Sequence, residues 1–389
     1  MKGAVASTHT PAMPSAAWRS HFVFEYLLTL PVGATIALIW ANTDSESYYP
    51  FTYSIAFFVN EIAMVFFFGL MTKEIVESTA PGGVFHPWRR IGLPVGAAVG
   101  GILVSAAVYR AMLGVLEAPL LASGWPVLFA TDLAFAYFVV RAIFGRHPAV
   151  TFLLLVAIMT TALGFAVLAL FYPERDAHPV ASVLLMCAAL AVAGILRGLR
   201  VRTFWPYVAI GGSLSWVALF FGGSHAAFAL VPIVAFLPHA PRDPGFFVDA
   251  PPGSRDALDR FERWCRVPAQ LALLLFGLVN AGVRFRGVEG GQWAAPIALL
   301  VGRPLGILAV VLAAAAIGLH VPRRLGWREL IVVGLASGIG FTLALFFASS
   351  IFPAGQLLGE TKIGALLSLA GAPLAFAAAR LLRVGRFAR

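Results

Sequence analysis

Long apolar segments recur along almost the whole chain, and they constrain the fold more than any other feature of the sequence. Most have about 18 residues or more, enough for a helix to cross roughly 30 Å of hydrocarbon. We count twelve such segments and predict twelve transmembrane helices. The predicted spans are 22–41, 52–72, 91–113, 125–143, 149–171, 179–198, 203–221, 223–238, 267–283, 292–318, 329–351 and 363–380.

The composition agrees with a chain that lives in a bilayer. Of the 389 residues, 60% are hydrophobic and only 12% are charged, which is too little charge for a soluble domain of this length. A transmembrane barrel is excluded, because its strands would alternate polar and apolar residues with a period of two. The predicted fold class is an all-α polytopic membrane protein. No nucleotide or metal motif is present, and the two cysteines form no disulfide framework. We therefore expect that the protein binds no cofactor and is not an enzyme.

The basic residues are distributed unequally between alternate loops, and this predicts the orientation of the chain. With the N-terminus inside, 22 of the 28 Lys and Arg residues lie on the inner side and 5 on the outer side. Because basic loops stay in the cytoplasm, we expect both termini there, with residues 1–21 as a cytoplasmic tail. The same rule accounts for the net charge of +10 without a nucleic-acid partner.

Two charged residues lie at membrane depth beside residues that weaken a helix. Asp132 follows Thr131 in "WPVLFATDLAFAYFVV", and Arg303 stands between a glycine and a proline in "LLVGRPLGI". Ionisable groups inside the membrane are costly, so each is a candidate for a functional site. We therefore predict a broken fourth span with Asp132 at its interruption.

A second interruption lies in the eleventh predicted span, where "LASGIGFTLALFF" places Gly338, Gly340 and Thr342 at mid-membrane. The fourth and eleventh spans are each the middle member of a triple, 3–5 and 10–12, and the charge count orients the two triples oppositely. This pattern is typical of inverted repeats in transporters.

Two broken helices that cross head to head bring two N-terminal ends together and two C-terminal ends together, each end carrying about half a charge. We expect Asp132 to compensate the positive ends and Arg303 the negative ends, directly or through each other. A buried Asp–Arg pair that only stabilises the fold is the alternative.

Two further ionisable residues lie nearer the ends of their predicted spans. For Glu61 in "FFVNEIAMVFFF" we expect a packing or interfacial role. His225 follows a tight Gly-Gly turn in "GGSHAAFAL" and is either a residue that starts a helix or a candidate for a pH response, because imidazole titrates near neutral pH.

Seven segments of the chain resemble, in order and spacing, the NhaA family of bacterial sodium/proton antiporters. They are "RRIGLPVGAAVGG", "ATDLAFA", "LALFY", "SHAAFALVPIVAFLP", "NAGV", "GRPLGI" and "VGLASGIGFTLALFFAS". The resemblance implies an inner-membrane transporter with twelve spans, with broken fourth and eleventh helices, that exchanges Na⁺ or Li⁺ for protons.

The resemblance also implies a division of labour within a single transporter domain, residues 22–389. A core bundle, about 91–171 and 292–383, moves against an interface part, about 22–72 and 179–283, through which the family forms homodimers.

The site residues follow from the family's motifs position by position. Asp132 and Thr131 match the family's Ala-Thr-Asp, and Arg303 stands where the family has a lysine in Gly-Lys-Pro-Leu-Gly. The fifth helix departs from the family, because Thr160 and Thr161 occupy the positions of its cation-binding Asp-Asp pair. The candidate ion-binding residues are therefore Asp132, Thr131, Thr160 and Thr161.

The family's acidic cluster at the cytoplasmic mouth is loosely matched by "LMTKEIVES". Its acidic residues, Glu74 and Glu77, are the other candidates for a pH response.

The missing aspartates bear directly on activity, because threonine does not titrate and arginine keeps its proton at neutral pH. Each lost carboxylate at about 5 Å from a sodium ion removes roughly 3 kcal/mol of attraction at an effective dielectric constant near 20. The leading hypothesis is an NhaA-type sodium/proton antiporter. The alternatives are a transporter of the same fold that moves a neutral solute or a small anion, and a membrane scaffold that does not transport.

Overall fold

The computed structural model describes residues 28–79, 91–145, 147–172, 178–239, 256–285, 290–318 and 325–388. Every regular element in these ranges is helical, which confirms the predicted fold class. The α-helices are α1 (Thr29–Thr43), α2 (Ser45–Phe57), α3 (Met64–Thr79), α4 (Gly92–Val115), α5 (Leu133–Phe144), α6 (Pro148–Phe171), α7 (Pro179–Gly198), α8 (Ser213–Phe221), α9 (Val231–Val234), α10 (Ala257–Asn280), α11 (Ala294–Ile297), α12 (Arg303–Ala316), α13 (Trp327–Ser337), α14 (Phe341–Ile351), α15 (Gln356–Leu367) and α16 (Gly371–Leu381).

Shorter segments of other helical geometry join several of these helices. The π-helical segments are Phe58–Ala63, Tyr207–Gly212 and Ala298–Gly302, and the 3₁₀ segments are Pro119–Phe129, Ala226–Phe228, Gly290–Trp293, Ser368–Ala370 and Gly385–Phe387. The predicted cytoplasmic tail, 1–21, lies outside the described residues.

Within the described residues, six continuous helical stretches are long and apolar enough to cross a membrane, and two bent pairs raise the number to eight. Shorter helical stretches occupy the first and seventh predicted spans, namely α1 and the apolar stretch Tyr207–Phe221, and the 24-residue α10 occupies the ninth. The chain is thus a multi-pass membrane protein.

Several predicted spans have different bounds in the structure, among them the eighth and the ninth. The eighth, 223–238, is not a continuous helix but the 3₁₀ segment Ala226–Phe228 followed by the four-residue α9. The ninth begins at Ala257, ten residues before the predicted 267, because the charged residues at its start pair with α3 instead of ending the helix.

Both predicted helix interruptions are present. The segment Pro119–Phe129 meets α5 at an angle of 61°, and α13 meets α14 at 48°. In the first break, Ala130 and Asp132 adopt extended backbone angles. In the second, the residues from Gly338 to Gly340 separate the two helices. The broken fourth and eleventh helices are therefore confirmed.

The helices fall into two packing groups. In one, α10 packs against α1 and α3, and α7 packs against α8. In the other, α4 packs against α6 and α12, and α13 packs against α5, α12 and α16. Both broken pairs belong to the second group, whose helices hold them in place.

Glycines allow very close approach between the longest helices, as is common where lipid provides no hydrophobic force between helices. A Cβ atom on Gly306 of α12 would lie 2.2 Å from the carbonyl oxygen of Gly100 on α4. A Cβ atom on Gly33 of α1 would lie 2.1 Å from the carbonyl oxygen of Leu274 on α10. Each packing group therefore contains a glycine contact between backbones.

The contact between α4 and α12 predicts the effect of a single methyl group. Gly306→Ala should destabilise the protein by about 1–3 kcal/mol, because the methyl group meets backbone atoms that cannot move aside. Gly114→Ala on α4, where a Cβ atom has nothing within 4 Å, is the matched control. Thermal unfolding in detergent measures both; an unchanged midpoint for Gly306→Ala would show that α4 and α12 do not pack this closely.

Candidate functional site

The two helix interruptions lie directly against each other. The backbone N–H of Asp132 donates to the carbonyl oxygen of Ile339 at 2.6 Å, which joins the two breaks by a main-chain hydrogen bond. A Cβ atom on Gly340 would lie 3.2 Å from Cβ of Ala130. The broken spans therefore cross at their interruptions, and four half-helix ends meet there.

Asp132 lies at the two N-terminal ends of this crossing. Its carboxylate accepts hydrogen bonds from the backbone N–H of Phe135 at 3.3 Å, in the first turn of α5, and of Thr342 at 3.2 Å, in the first turn of α14. The Thr342 hydroxyl donates to the same carboxylate. Because the first turns of a helix leave N–H groups unpaired, one carboxylate here satisfies two helix starts.

Arg303 lies at the two C-terminal ends. Its guanidinium is fully buried and donates to the carbonyl oxygen of Ser337, the last residue of α13, at 3.0 Å. It also donates to the carbonyl oxygen of Leu128, next to the end of Pro119–Phe129, and to the hydroxyl of Thr131. One cation therefore contacts the negative ends of both broken helices.

Asp132 and Arg303 do not pair directly. Neither forms an ion pair with any residue that the structure describes, and Thr131 lies between them in the hydrogen-bond network. The alternative of a buried Asp–Arg pair is therefore wrong. Asp132 instead contacts two helix ends with a positive partial charge, and Arg303 contacts two helix ends with a negative partial charge. The two ends together supply more hydrogen bonds than one charged partner could.

Thr160 and Thr161, the two adjacent threonines of α6, have different surroundings. Thr160 is 1% exposed; its hydroxyl donates to the carbonyl oxygen of Ala157 at 2.9 Å and lies 3.2 Å from the hydroxyl of Thr131. Thr161 is only partly buried and lines a cavity. The first therefore belongs to the hydrogen-bond network behind the crossing, and the second faces open space.

This space, the crossing cavity, has a volume of about 210 Å³ and borders Asp132. Most of its wall is apolar. Its described polar lining residues are Thr72, Asp132, Thr161, Arg266, Gln270 and Thr342. Asp132 is the only carboxylate among them, so a cation that entered the cavity would meet a single acidic group.

Three of these lining residues, Thr72, Arg266 and Gln270, were missed by the sequence analysis. Arg266 and Gln270 are four residues apart on α10 and share a face of that helix. Arg266 was missed because it lay in the predicted loop, just before the predicted start of the span at 267, whereas Gln270 lay inside that span and was not singled out. Polar residues at four-residue spacing were the signal that could have found them.

A cluster of buried charges lies beside the cavity and contains Glu74 and Glu77. Lys73 lies 3.4 Å from Glu74, 2.7 Å from Glu77 and 2.8 Å from Glu262 of α10. Glu262 also pairs with Arg266 at 2.7 Å. The cluster therefore ties α3 to α10 and reaches the cavity wall through Arg266.

His225 lies away from the crossing, in contact with Glu61. Its Nδ1 is 3.5 Å from a carboxylate oxygen of Glu61, whose other oxygen accepts from the N–H of Ala226 at 2.6 Å. The His225 ring lies 5.3 Å from the ring of Phe346 on α14. Glu61 thus caps the 3₁₀ segment that follows His225, and His225 contacts one of the broken pairs.

Two bent spans that cross at their interruptions, with a charged group at each pair of helix ends and a cavity beside them, are typical of a membrane transporter of the secondary class. The comparisons with known proteins specify the family. The family model described as Na⁺/H⁺ antiporter 1 matches residues 26–380. The chain belongs to this family, which confirms the resemblance found in the sequence.

Individual relatives cover nearly the full length of the chain. The Na⁺/H⁺ antiporter NhaA of Geobacter metallireducens is 41% identical over 372 residues, which is 93% of this chain and 97% of the relative. NhaA of Desulfitobacterium hafniense is 40% identical over 374 residues, 94% of this chain and 96% of the relative.

Among solved structures, the sodium proton antiporter MjNhaP1 from Methanocaldococcus jannaschii has a TM-score of 0.58 at 14% identity, with coverage of 96% of this chain and 99% of that one. This likeness shows a shared fold.

The contacts of Arg303 predict its contribution to stability. Arg303→Met should destabilise the protein by about 3–5 kcal/mol, because it removes a bonded buried charge and leaves the carbonyl oxygens of Leu128 and Ser337 without their donor. Arg303→Lys should recover part of the loss, since an ammonium keeps the charge and three donors. Thermal unfolding in detergent measures both variants.

The matched control for this experiment is Arg110→Met, which changes an exposed arginine on α4. If Arg303→Met unfolds at the same temperature as Arg110→Met, then Arg303 does not hold the C-terminal ends of the broken helices.

Proposed function

We propose that the protein is a secondary transporter that exchanges Na⁺ or Li⁺ for protons at Asp132. The observation that carries this proposal is that Asp132 is the only carboxylate among the described residues lining the crossing cavity. A carboxylate that faces a cavity can hold either a proton or a cation, and coupled exchange requires that alternation. The names of the relatives, which describe Na⁺/H⁺ antiporters, support the same activity.

The cation ligands come from residues at the end of the cavity nearest the crossing. Asp132 supplies a charged oxygen, and Thr161 and Thr342 supply hydroxyl oxygens. One carboxylate at about 5 Å contributes roughly 3 kcal/mol of attraction for a monovalent cation at an effective dielectric constant near 20. Neutral hydroxyl oxygens add less, so this site binds cations more weakly than a site with several aspartates.

The same geometry supports a stoichiometry of one proton per cation for the proposed exchange. Asp132 gives up one proton when a cation binds and takes one when the cation leaves. Arg303 does not line the cavity, and its guanidinium is occupied by two carbonyl oxygens and a hydroxyl, so it takes no part in the exchange. One proton therefore moves per cation, and the transport cycle carries no net charge.

Alternating access uses the two packing groups. We assign the core bundle to about 91–171 and 292–383 and the interface part to about 22–72 and 179–283, and we expect homodimers through the interface part. The protein would lie in the bacterial inner membrane with both termini in the cytoplasm, as the distribution of basic residues indicates.

A pH response would act at two places. His225 with Glu61 contacts α14 of the core, so its protonation would change a contact between the two parts. The Lys73 cluster with Glu74 and Glu77 joins α3 to α10 inside the interface part, so its protonation would change the cavity wall.

Proton flux tests the proposal directly. In everted vesicles with a preformed pH gradient, addition of Na⁺ or Li⁺ should release protons from the lumen at some pH between about 6.5 and 8.5. Asp132→Asn should abolish the response, and Glu46→Gln, which changes an exposed carboxylate, should leave it intact. No response of the wild-type chain at any of these pH values would exclude cation/proton exchange.

A second carboxylate in the cavity makes the test specific for stoichiometry. Thr161→Asp should strengthen the apparent affinity for Na⁺ and make transport respond to membrane potential, whereas wild-type transport should not. Thr161→Val is the matched control, because it keeps the shape of the side chain without an ionisable group. If wild-type flux already depends on membrane potential, a second titrating group takes part. Uptake of a neutral solute or anion without proton movement would support the alternative transporter instead.

A further inference from the structure

A second cavity, the Lys362 cavity, lies at the other end of the helices that line the crossing cavity. It contacts residues 279–283 at the end of α10 and the end of α14, whereas the crossing cavity contacts 266–273 and the start of α14. Its volume is about 630 Å³. Its polar lining residues include Tyr49, Asn60, Asn280, Ser349 and Lys362.

Lys362 on α15 is the only charged residue among the described residues that line this cavity. Its side chain is 9% exposed, and it forms no ion pair or hydrogen bond with any described residue. A buried ammonium group is costly unless an opposite charge compensates it, and an anion in the cavity would do so.

Asn60, which lines the cavity, adds neutral hydrogen-bond donors. Asn280 Nδ2 donates to Asn60 Oδ1 at 2.8 Å, and the Ser349 hydroxyl donates to Asn280 Oδ1 at 2.8 Å. These bonds fix Asn60 with its oxygen occupied, so its two N–H groups remain as donors. The part of the cavity next to Asn60 therefore favours a hydrogen-bond acceptor.

The first turn of α15 faces the same cavity. Gly355, Leu358 and Gly359 line it, no side chain caps the N-terminus of this helix, and its first turn contains no acidic residue. A helix start carries a partial positive charge and free N–H groups. Lys362 lies two turns further along, and because side chains on a helix tilt toward its N-terminus, its ammonium group extends back toward that first turn.

We propose that the Lys362 cavity binds a phosphate group, either as free inorganic phosphate or as the headgroup of an anionic phospholipid. Lys362 supplies the charge, Asn60 and the first turn of α15 supply neutral donors, and Arg284, 5.1 Å from the Tyr49 ring at the rim, adds a second positive charge. The volume is larger than a halide needs and accommodates a tetrahedral oxyanion. This site is separate from Asp132 and does not depend on cation exchange.

The test uses the purified, delipidated full chain in detergent. One arm adds inorganic phosphate at constant ionic strength, and a second adds phosphatidylglycerol in mixed micelles. A saturable rise in the unfolding temperature is expected in at least one arm, and the arm that responds identifies the source of the phosphate group. Equilibrium binding of radiolabelled phosphate, with phosphatidylglycerol as competitor, measures the same site without any variant.

Three variants assign the response to the site. Lys362→Met should weaken the apparent affinity by about tenfold or more, the loss expected when a charge-assisted hydrogen bond is removed, and Lys362→Arg should retain it. Arg380→Met, at an exposed arginine on α16, and Asp132→Asn should bind as the wild type does. The Asp132 variant separates this site from the exchange site.

Two results would overturn the proposal. One is a wild-type chain that shows neither a saturable response nor phosphate binding in either arm. The other is a folded Lys362→Met variant with the wild-type affinity, since the phosphate would then bind elsewhere.

Discussion

The burial of four half-helix ends at one crossing is the constraint on which the rest of the structure depends. Lipid offers no hydrogen bonds, so the backbone groups freed by two interrupted spans must be satisfied by the protein itself. Asp132 accepts from the first turns of α5 and α14, and Arg303 donates to the last carbonyl groups of the opposite halves. The glycines of the second break and the packing of α4 against α12 matter because they bring these ends within reach.

This arrangement gives Asp132 two tasks that compete. The same oxygens that hold the helix starts are the ones a proton or a cation would occupy, so binding at Asp132 necessarily changes how α5 and α14 are held. Thr160 has been absorbed into the structural network through Thr131, while Thr161 faces the cavity. Of the two positions that the resemblance assigns to an acidic pair, Thr160 therefore supports the crossing and Thr161 alone borders the cavity.

The sequence predicted the all-helical membrane fold and both broken helices, because apolar length and clustered glycines act locally. The predictions were wrong where contacts between residues distant in the sequence determine the structure. The start of α10 was assigned to a loop, since its Glu262 pairs with Lys73 of α3, which is distant in the sequence. Arg266 was missed with this segment, and Gln270 was missed inside the predicted span. A direct pair of Asp132 and Arg303, the alternative that the sequence left open, is not among the contacts of the described residues, because each group is hydrogen-bonded at helix ends instead.

The proton count of cation binding tests the proposed exchange at a single carboxylate most directly. Calorimetric titration of the purified chain with Na⁺ or Li⁺, in buffers of different ionisation enthalpy, counts the protons released on binding. We expect one proton per cation bound for the wild-type chain and none for Asp132→Asn. Release of no proton by the wild type would separate binding from exchange, and release of two would require a second titrating group; either result would contradict exchange at Asp132 alone.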